Sequence, residues 1–206
     1  ETIDSVKRIC TLAFFTKTDI KKYGAKPIVH FASNGHIYFD HGVQSSMDTN
    51  DYFLTQVKDV IETAKLHHSR YKSEKPLTLY EKYTKKDVCR LLNWHKDEKG
   101  TMYGYRTKHQ TCPIFITYHK QDVEDSINYG DKLLSPEILQ WYTKNNRTLQ
   151  SKEVQEIIQA EKNHIDIHLF VKKDDDEGTD FYYLGEALPD ETSIRETSMM
   201  SKGKEL

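Results

Sequence analysis

Apolar residues near the start of the chain recur at helical spacing. Ile3, Val6, Ile9, Cys10, Ala13 and Phe14 predict a helix over residues 3–16. A basic turn over 17–26 follows, broken by Gly24 and Pro27. Residues 28–32 and 36–39 flank Ser33-Asn34-Gly35, and the Asn-Gly step predicts a short hairpin. Asn50 or Asp51 caps a second helix running to about Tyr71, with Phe53, Val57, Ile61 and Ala64 on one stripe. The polar break at 73–76 is expected to divide a mostly helical segment, 1–75, from a second part, 77–206.

The second part changes texture. Thr84 reads as the N-cap of a short helix with Val88, Leu91 and Leu92 on its apolar side, ending near Trp94. Residues 102–105, 114–118 and 139–143 are β-branched and aromatic, which predicts strands. Ser151 opens a helix carrying Val154, Ile157, Ile158 and Ala160. Two more strands, 165–171 and 180–188, are joined by an acidic turn. These helices are too few to cover both faces of a parallel sheet. The expected class is therefore α+β: a curved antiparallel sheet or open barrel with flanking helices, preceded by the small helical segment. No repeat of about 20–50 residues is visible, which excludes solenoids and propellers.

Composition adds bounds. The 206 residues include 13 Tyr, 8 Phe and 2 Trp, ample apolar surface for a core, so disorder is not expected. No apolar run approaches the roughly 18 residues of a membrane span, and no signal-peptide pattern opens the chain. Cys10, Cys89 and Cys112 are odd in number and far apart, offering neither a disulfide framework nor a Cys-x-x-Cys metal site. A reducing, cytoplasmic setting is expected. The first residue is Glu, so the sequence reads as a segment of a longer protein. The net charge of −2 hides an asymmetry. Nine Lys/Arg face three acids over 82–120, and eight acids face two basic residues over 172–191. Such segregation can present a basic face, although two ordinary solvated faces would read the same way.

Sites with assembled chemistry are not apparent. Gly-rich phosphate loops are absent, so no nucleotide cofactor is expected. His164 and His168 are four apart but lack a third ligand, and Cys112 and His119 bracket a strand, so no metal is expected. Asp122, Glu124 and Asp125 follow Lys120 in a loop, the wrong order for a carboxylate–lysine nuclease centre. What remains is aromatics interleaved with donors and cations: Tyr103-Gly104-Tyr105-Arg106, Tyr118-His119-Lys120, and the run from Trp141 to Thr148. Stacking faces, phosphate-seeking cations and Asn/Thr donors are what recognition of a single base requires. The alternative is that the aromatics fill the core.

Three linked stretches carry a family resemblance: Tyr83-Thr84-Lys85-Lys86-Asp87-Val88 through Leu91-Leu92-Asn93-Trp94; Thr111-Cys112-Pro113-Ile114-Phe115-Ile116-Thr117-Tyr118-His119-Lys120; and Leu169-Phe170-Val171-Lys172-Lys173 with Asp180-Phe181-Tyr182-Tyr183-Leu184-Gly185. Over residues 77–188 they resemble a bacterial domain catalogued as being of unknown function. That domain lies at the C-terminus of proteins with a phospholipase-D-type nuclease and a superfamily-two helicase motor, among them type IV restriction enzymes that cut DNA containing 5-methylcytosine. Residues 1–75 look like the segment joining motor to terminal domain. Such relatives continue with another apolar strand, which residues 198–206 do not offer.

The resemblance implies a non-catalytic target-recognition end of an ATP-dependent restriction endonuclease. It further implies a fold similar to PUA-like and SET- and RING-associated base-flipping domains. The partners implied are double-stranded DNA with a modified cytosine and the helicase and nuclease domains of the parent chain, with no membrane. A flipped cytosine needs aromatic walls, for which Tyr103, Tyr105, Tyr118 and Trp141 are candidates. Thr143 and Asn146 supply polar contacts, and Asp180 is the nominee to accept from the cytosine amine. Arg106, Lys108, Lys120, Lys144 and Arg147 are expected to meet phosphates. A second reading is a structural domain that couples motor to nuclease.

Overall fold

The computed structural model describes residues 3–69, 74–119, 131–198, 200–201 and 204–205. The chain divides into two units, one formed by residues 1–78 with 89–98, the other by residues 79–88 with 99–206.

In the first unit, α1 (Ile3–Cys10) stops short of the expected length and gives way to a 3-10 turn at Leu12–Phe14. The expected basic turn is a helix, α2 (Lys17–Tyr23). Thr16 caps it by accepting from the Asp19 amide at 3.0 Å, and Gly24 ends it at φ 57°. The hairpin β1 (Val29–Phe31) and β2 (Ile37–Phe39) forms around Asn34-Gly35. A further helix, α3 (His41–Thr49), starts at Asp40, whose carboxylate accepts from the Gly42 amide at 3.0 Å. The backbone hydrogen bond from Gly42, with His30 beside it, lowers the Asp40 pKa. Asn50 caps the long α4 (Asp51–His68) by accepting from the Phe53 amide, and no side chain of that helix is buried. Buried apolar residues of this unit are Phe14, Met47, Leu77, Cys89, Leu92 and Trp94.

The second unit opens with β3 (Lys82–Thr84), which runs directly into α5 (Lys85–Leu91). Thr84 accepts from the Asp87 amide at 3.1 Å and donates to its carboxylate at 2.6 Å, a reciprocal cap that sets the helix start. The helix ends before Trp94 because Asn93 turns left-handed at φ 60°. Next come β4 (Thr111–His119), a small hairpin of β5 (Lys132–Leu133) and β6 (Leu139–Gln140), and α6 (Lys152–Ile158). Then follow β7 (Asp166–Asp174), β8 (Asp180–Ala187) and a short pair, β9 (Met200–Ser201) with β10 (Lys204–Glu205).

The fold is α+β, with a helical N-terminal segment before a sheet-rich part and no closed barrel among the described residues. The main sheet has the order β3-β8-β7-β4 and is mixed rather than wholly antiparallel. β4 and β7 run parallel, in register from Thr111 opposite Asp166 to His119 opposite Asp174. The cause is the connection: parallel neighbours need a crossover, and the chain between them carries α6. β7 and β8 pair antiparallel across a bulge, where Leu184 is the extra residue and Gly185 takes φ 118°.

Alternation sends side chains to two faces. One carries Cys112, Ile114, Ile116 and Ile167, packed with Tyr105 and with Ile157 and Ala160 from the α6 region. On the other, Phe115 stacks on Phe170 at 4.8 Å and meets Phe181 edge-on at 5.1 Å, with Tyr83 and Tyr183 around them. Two expected strands shrink. Residues 102–105 form no strand, because Gly104 turns at φ 75° and leaves only a single bridge between Tyr105 and Ile114. Of 139–143, only Leu139 and Gln140 are extended and paired. No helix among the described residues is long and apolar enough to cross a membrane.

Candidate nucleic-acid interface

The loop from Trp141 to Gln150 leaves β6 and enters α6, and it gathers most of the expected site. Trp141 packs, half-buried, on the core face, with its ring edge-to-face to buried Tyr105 at 5.1 Å between centroids. Lys144 arches over this pair and holds its Nζ 4.1 Å from the centre of the Tyr105 ring. Asn146 turns the loop left-handed at φ 57°, so that Lys144 and Arg147 both reach the carboxylate of Glu153. Lys144 donates to Oε2 at 3.1 Å, and the Arg147 Nε pairs with Oε1. Arg147 also donates to the Asn146 carbonyl at 3.3 Å.

Burial is the main cause of a lowered Lys144 pKa, and Arg147 and Arg106 then lower it further. Two guanidiniums therefore act on one lysine here. The guanidinium of Arg106 donates to the Thr101 hydroxyl at 2.7 Å, and Lys108 sits half-buried at a turn closed on Thr111. Beneath the loop, burial pushes the Cys112 thiol up to about 11, with Glu156 adding to the rise and the Thr107 hydroxyl and Lys144 opposing it. Arg147, Ser151, Lys152, Glu153 and Glu156 line a shallow, open depression on this surface.

Arg106, Lys144, Arg147, Tyr105 and Trp141 thus share one neighbourhood, with Thr143 and Asn146 in the same loop. Tyr103, Tyr118 and Asp180 do not join them. Tyr103 is 74% exposed and Tyr105 1%, so the two tyrosines do not share a strand face, because the turn at Gly104 breaks the alternation. Tyr118 is at the far end of β4, and Asp180 at the corresponding end of β8, where it accepts from the Thr179 hydroxyl and faces Thr84. Lys120 lies outside the described residues, as do Asp122, Glu124 and Asp125. Reasoning from the sequence missed Glu153. Its signal was available: an acid in the first turn of a helix, directly after a basic loop.

Two family models match the chain. Residues 77–206 match one described as Domain of unknown function (DUF3427), and residues 1–73 match one described as Domain of unknown function (DUF8090). The first match contains the whole stretch over which the family resemblance was read. No curated protein matches the chain.

Proposed function

We propose that this chain, which belongs to the family described as Domain of unknown function (DUF3427), binds double-stranded DNA and seats backbone phosphates against Arg106, Lys144 and Arg147. One observation carries the reading: Arg106 and Arg147 both lie within electrostatic reach of Lys144, and Lys144 and Arg147 share a single carboxylate, Glu153. Mutual repulsion of that kind costs free energy in the free protein, and a polyanion relieves it. The aromatic pair beside them, with the Thr143 to Thr148 loop, suits a role beyond the backbone. In the finer form of the proposal, a modified cytosine leaves the duplex and stacks near Trp141, and the domain is the non-catalytic reading end of a restriction enzyme. Its helicase and nuclease domains then act on what it has bound.

Binding of duplexes with and without 5-methylcytosine across a salt series tests both levels. Affinity for either duplex should fall steeply with salt. Arg147→Ala should weaken both equally and lower the salt slope by about one unit. Tighter binding of the modified duplex supports the finer form. Salt-insensitive binding, or none, removes the DNA reading and leaves a structural domain that couples motor to nuclease. That second reading has its own support, since Tyr105 is buried and Trp141 packs against the core.

A further inference from the structure

On the opposite face of the main sheet, two lysines that played no part in the expected site approach one aromatic ring. Lys172 of β7 holds its Nζ 5.2 Å from the centre of Phe181, and Lys85 of α5 holds its Nζ 5.7 Å from the same centre and 5.3 Å from that of Phe115. Lys172 donates to the Gly178 carbonyl at 3.1 Å and pairs with the Asp175 carboxylate at 3.0 Å. Its side chain is 9% exposed and that of Asp175 49%, so the carboxylate forms the open rim. Lys85 has no carboxylate among the described residues; its only hydrogen bond there is to the Met102 carbonyl at 3.2 Å. Burial first, and Lys172 second, push the Lys85 pKa down. Thr117 is the β4 partner of Lys172 and points to the same face, two residues beyond Phe115. Its hydroxyl has no hydrogen bond among the described residues.

A half-buried ammonium with one neutral acceptor keeps unused N–H bonds, and a second ammonium beside it raises the cost of its charge. We propose that Lys85, Lys172 and Thr117 form an oxyanion site that takes a phosphoryl group over the Phe115–Phe181 wall. Lysines act on phosphate as point charges, one to an oxygen, and a hydroxyl can serve a third oxygen. A carboxylate has only two oxygens, and Asp175 already fills that role for Lys172 alone. The site lies on the sheet face away from Lys144 and does not depend on the DNA reading.

The test is a titration of the full chain with sodium phosphate, followed by the NMR signals of the lysine ε-carbons, with sodium chloride at equal ionic strength beside it. Phosphate should shift the Lys85 and Lys172 signals together and saturably, with a midpoint on the order of 1 mM, and chloride should not. Asp175→Asn removes the competing carboxylate and should move the midpoint about three- to tenfold lower. Lys172→Gln should abolish the Lys85 shift. If that variant fails to fold, Asp175→Asn carries the test. A short unmodified duplex then separates the sources. Displacement of phosphate from both lysines identifies a nucleic-acid backbone, and no displacement identifies a free phosphate or phosphomonoester. No saturable shift, an equal shift with chloride, or an unmoved midpoint in Asp175→Asn overturns the proposal.

Discussion

The ammonium of Lys144 sits 4.1 Å from the centre of the Tyr105 ring while its charge is met by Glu153 at 3.1 Å. One lysine therefore ties the basic loop to the sheet core. Tyr105 supplies the floor, Trp141 braces that floor edge-on, and Glu153 fixes where the cation points. Loop and core should respond to mutation as a unit, yet the two sides are separable by choosing which partner to remove.

Removing the carboxylate isolates the charge. Glu153→Gln frees Lys144 and Arg147 from their shared counter-ion and should tighten duplex DNA binding about three- to tenfold at low salt. The gain should vanish at high salt. Because the pairs are half-exposed, the melting free energy should change by no more than about 1 kcal/mol. Unchanged or weaker DNA binding in a folded variant would count against the cationic interface.

Removing the aromatic brace tests the core instead. Trp141→Ala should cost about 3 kcal/mol of stability, the low end for a large aromatic because the residue is only half-buried. Denaturant unfolding measures this. Measured beside it, binding to modified and unmodified duplexes separates the two roles of the ring. Equal loss on both means a brace, and selective loss of discrimination means a stacking face.

Alkaline pH reports on Cys112. Its folded pKa, about 11, lies above the ordinary 9.0, so the folded state holds the thiol proton more tightly than the unfolded chain. That contribution is complete below pH 9.0 and is lost as the pH rises through about 11. Wild-type stability should therefore decline more steeply over this window than that of Cys112→Ala, by about 3 kcal/mol in all. Cys89 is shifted the same way, so only the difference between the two proteins isolates Cys112. Parallel stability curves would contradict the assignment.

A smaller effect is expected at the start of α5. Thr84→Ala removes both halves of the reciprocal cap with Asp87 and should cost about 1 kcal/mol, visible as a lowered melting temperature. Thr84→Ser should restore most of it.

Local signals were legible in the sequence, and distant pairings were not. Asn50, Thr84 and the Asn34-Gly35 turn act where their residue types predict, because capping and turning are settled within a few residues. The helix at Lys17–Tyr23 carried equally clear caps in Thr16 and Gly24, but its run of lysines gave no apolar stripe to read. His41–Thr49 was missed for a related reason: only Met47 of that helix is buried. The parallel pairing of β4 and β7 was invisible because strand texture is the same in either direction. Lys144 and Arg147 were nominated from type and loop position, and Glu153, a few residues on, carried a local signal that went unread, whereas the pair of Lys85 and Lys172 depends on which faces the topology brings together.

Pro113 lies in β4, the edge strand of the main sheet, and its ring leaves no amide proton there. Two residues on, the Phe115 amide points away from β7 and donates to the Gly104 carbonyl at 2.7 Å. Along this margin one donor is missing and the next is already spent. A second molecule arriving in extended form meets a gap at Pro113 and a spent donor at Phe115, so the middle of this long aromatic and β-branched strand is guarded against edge-to-edge self-assembly.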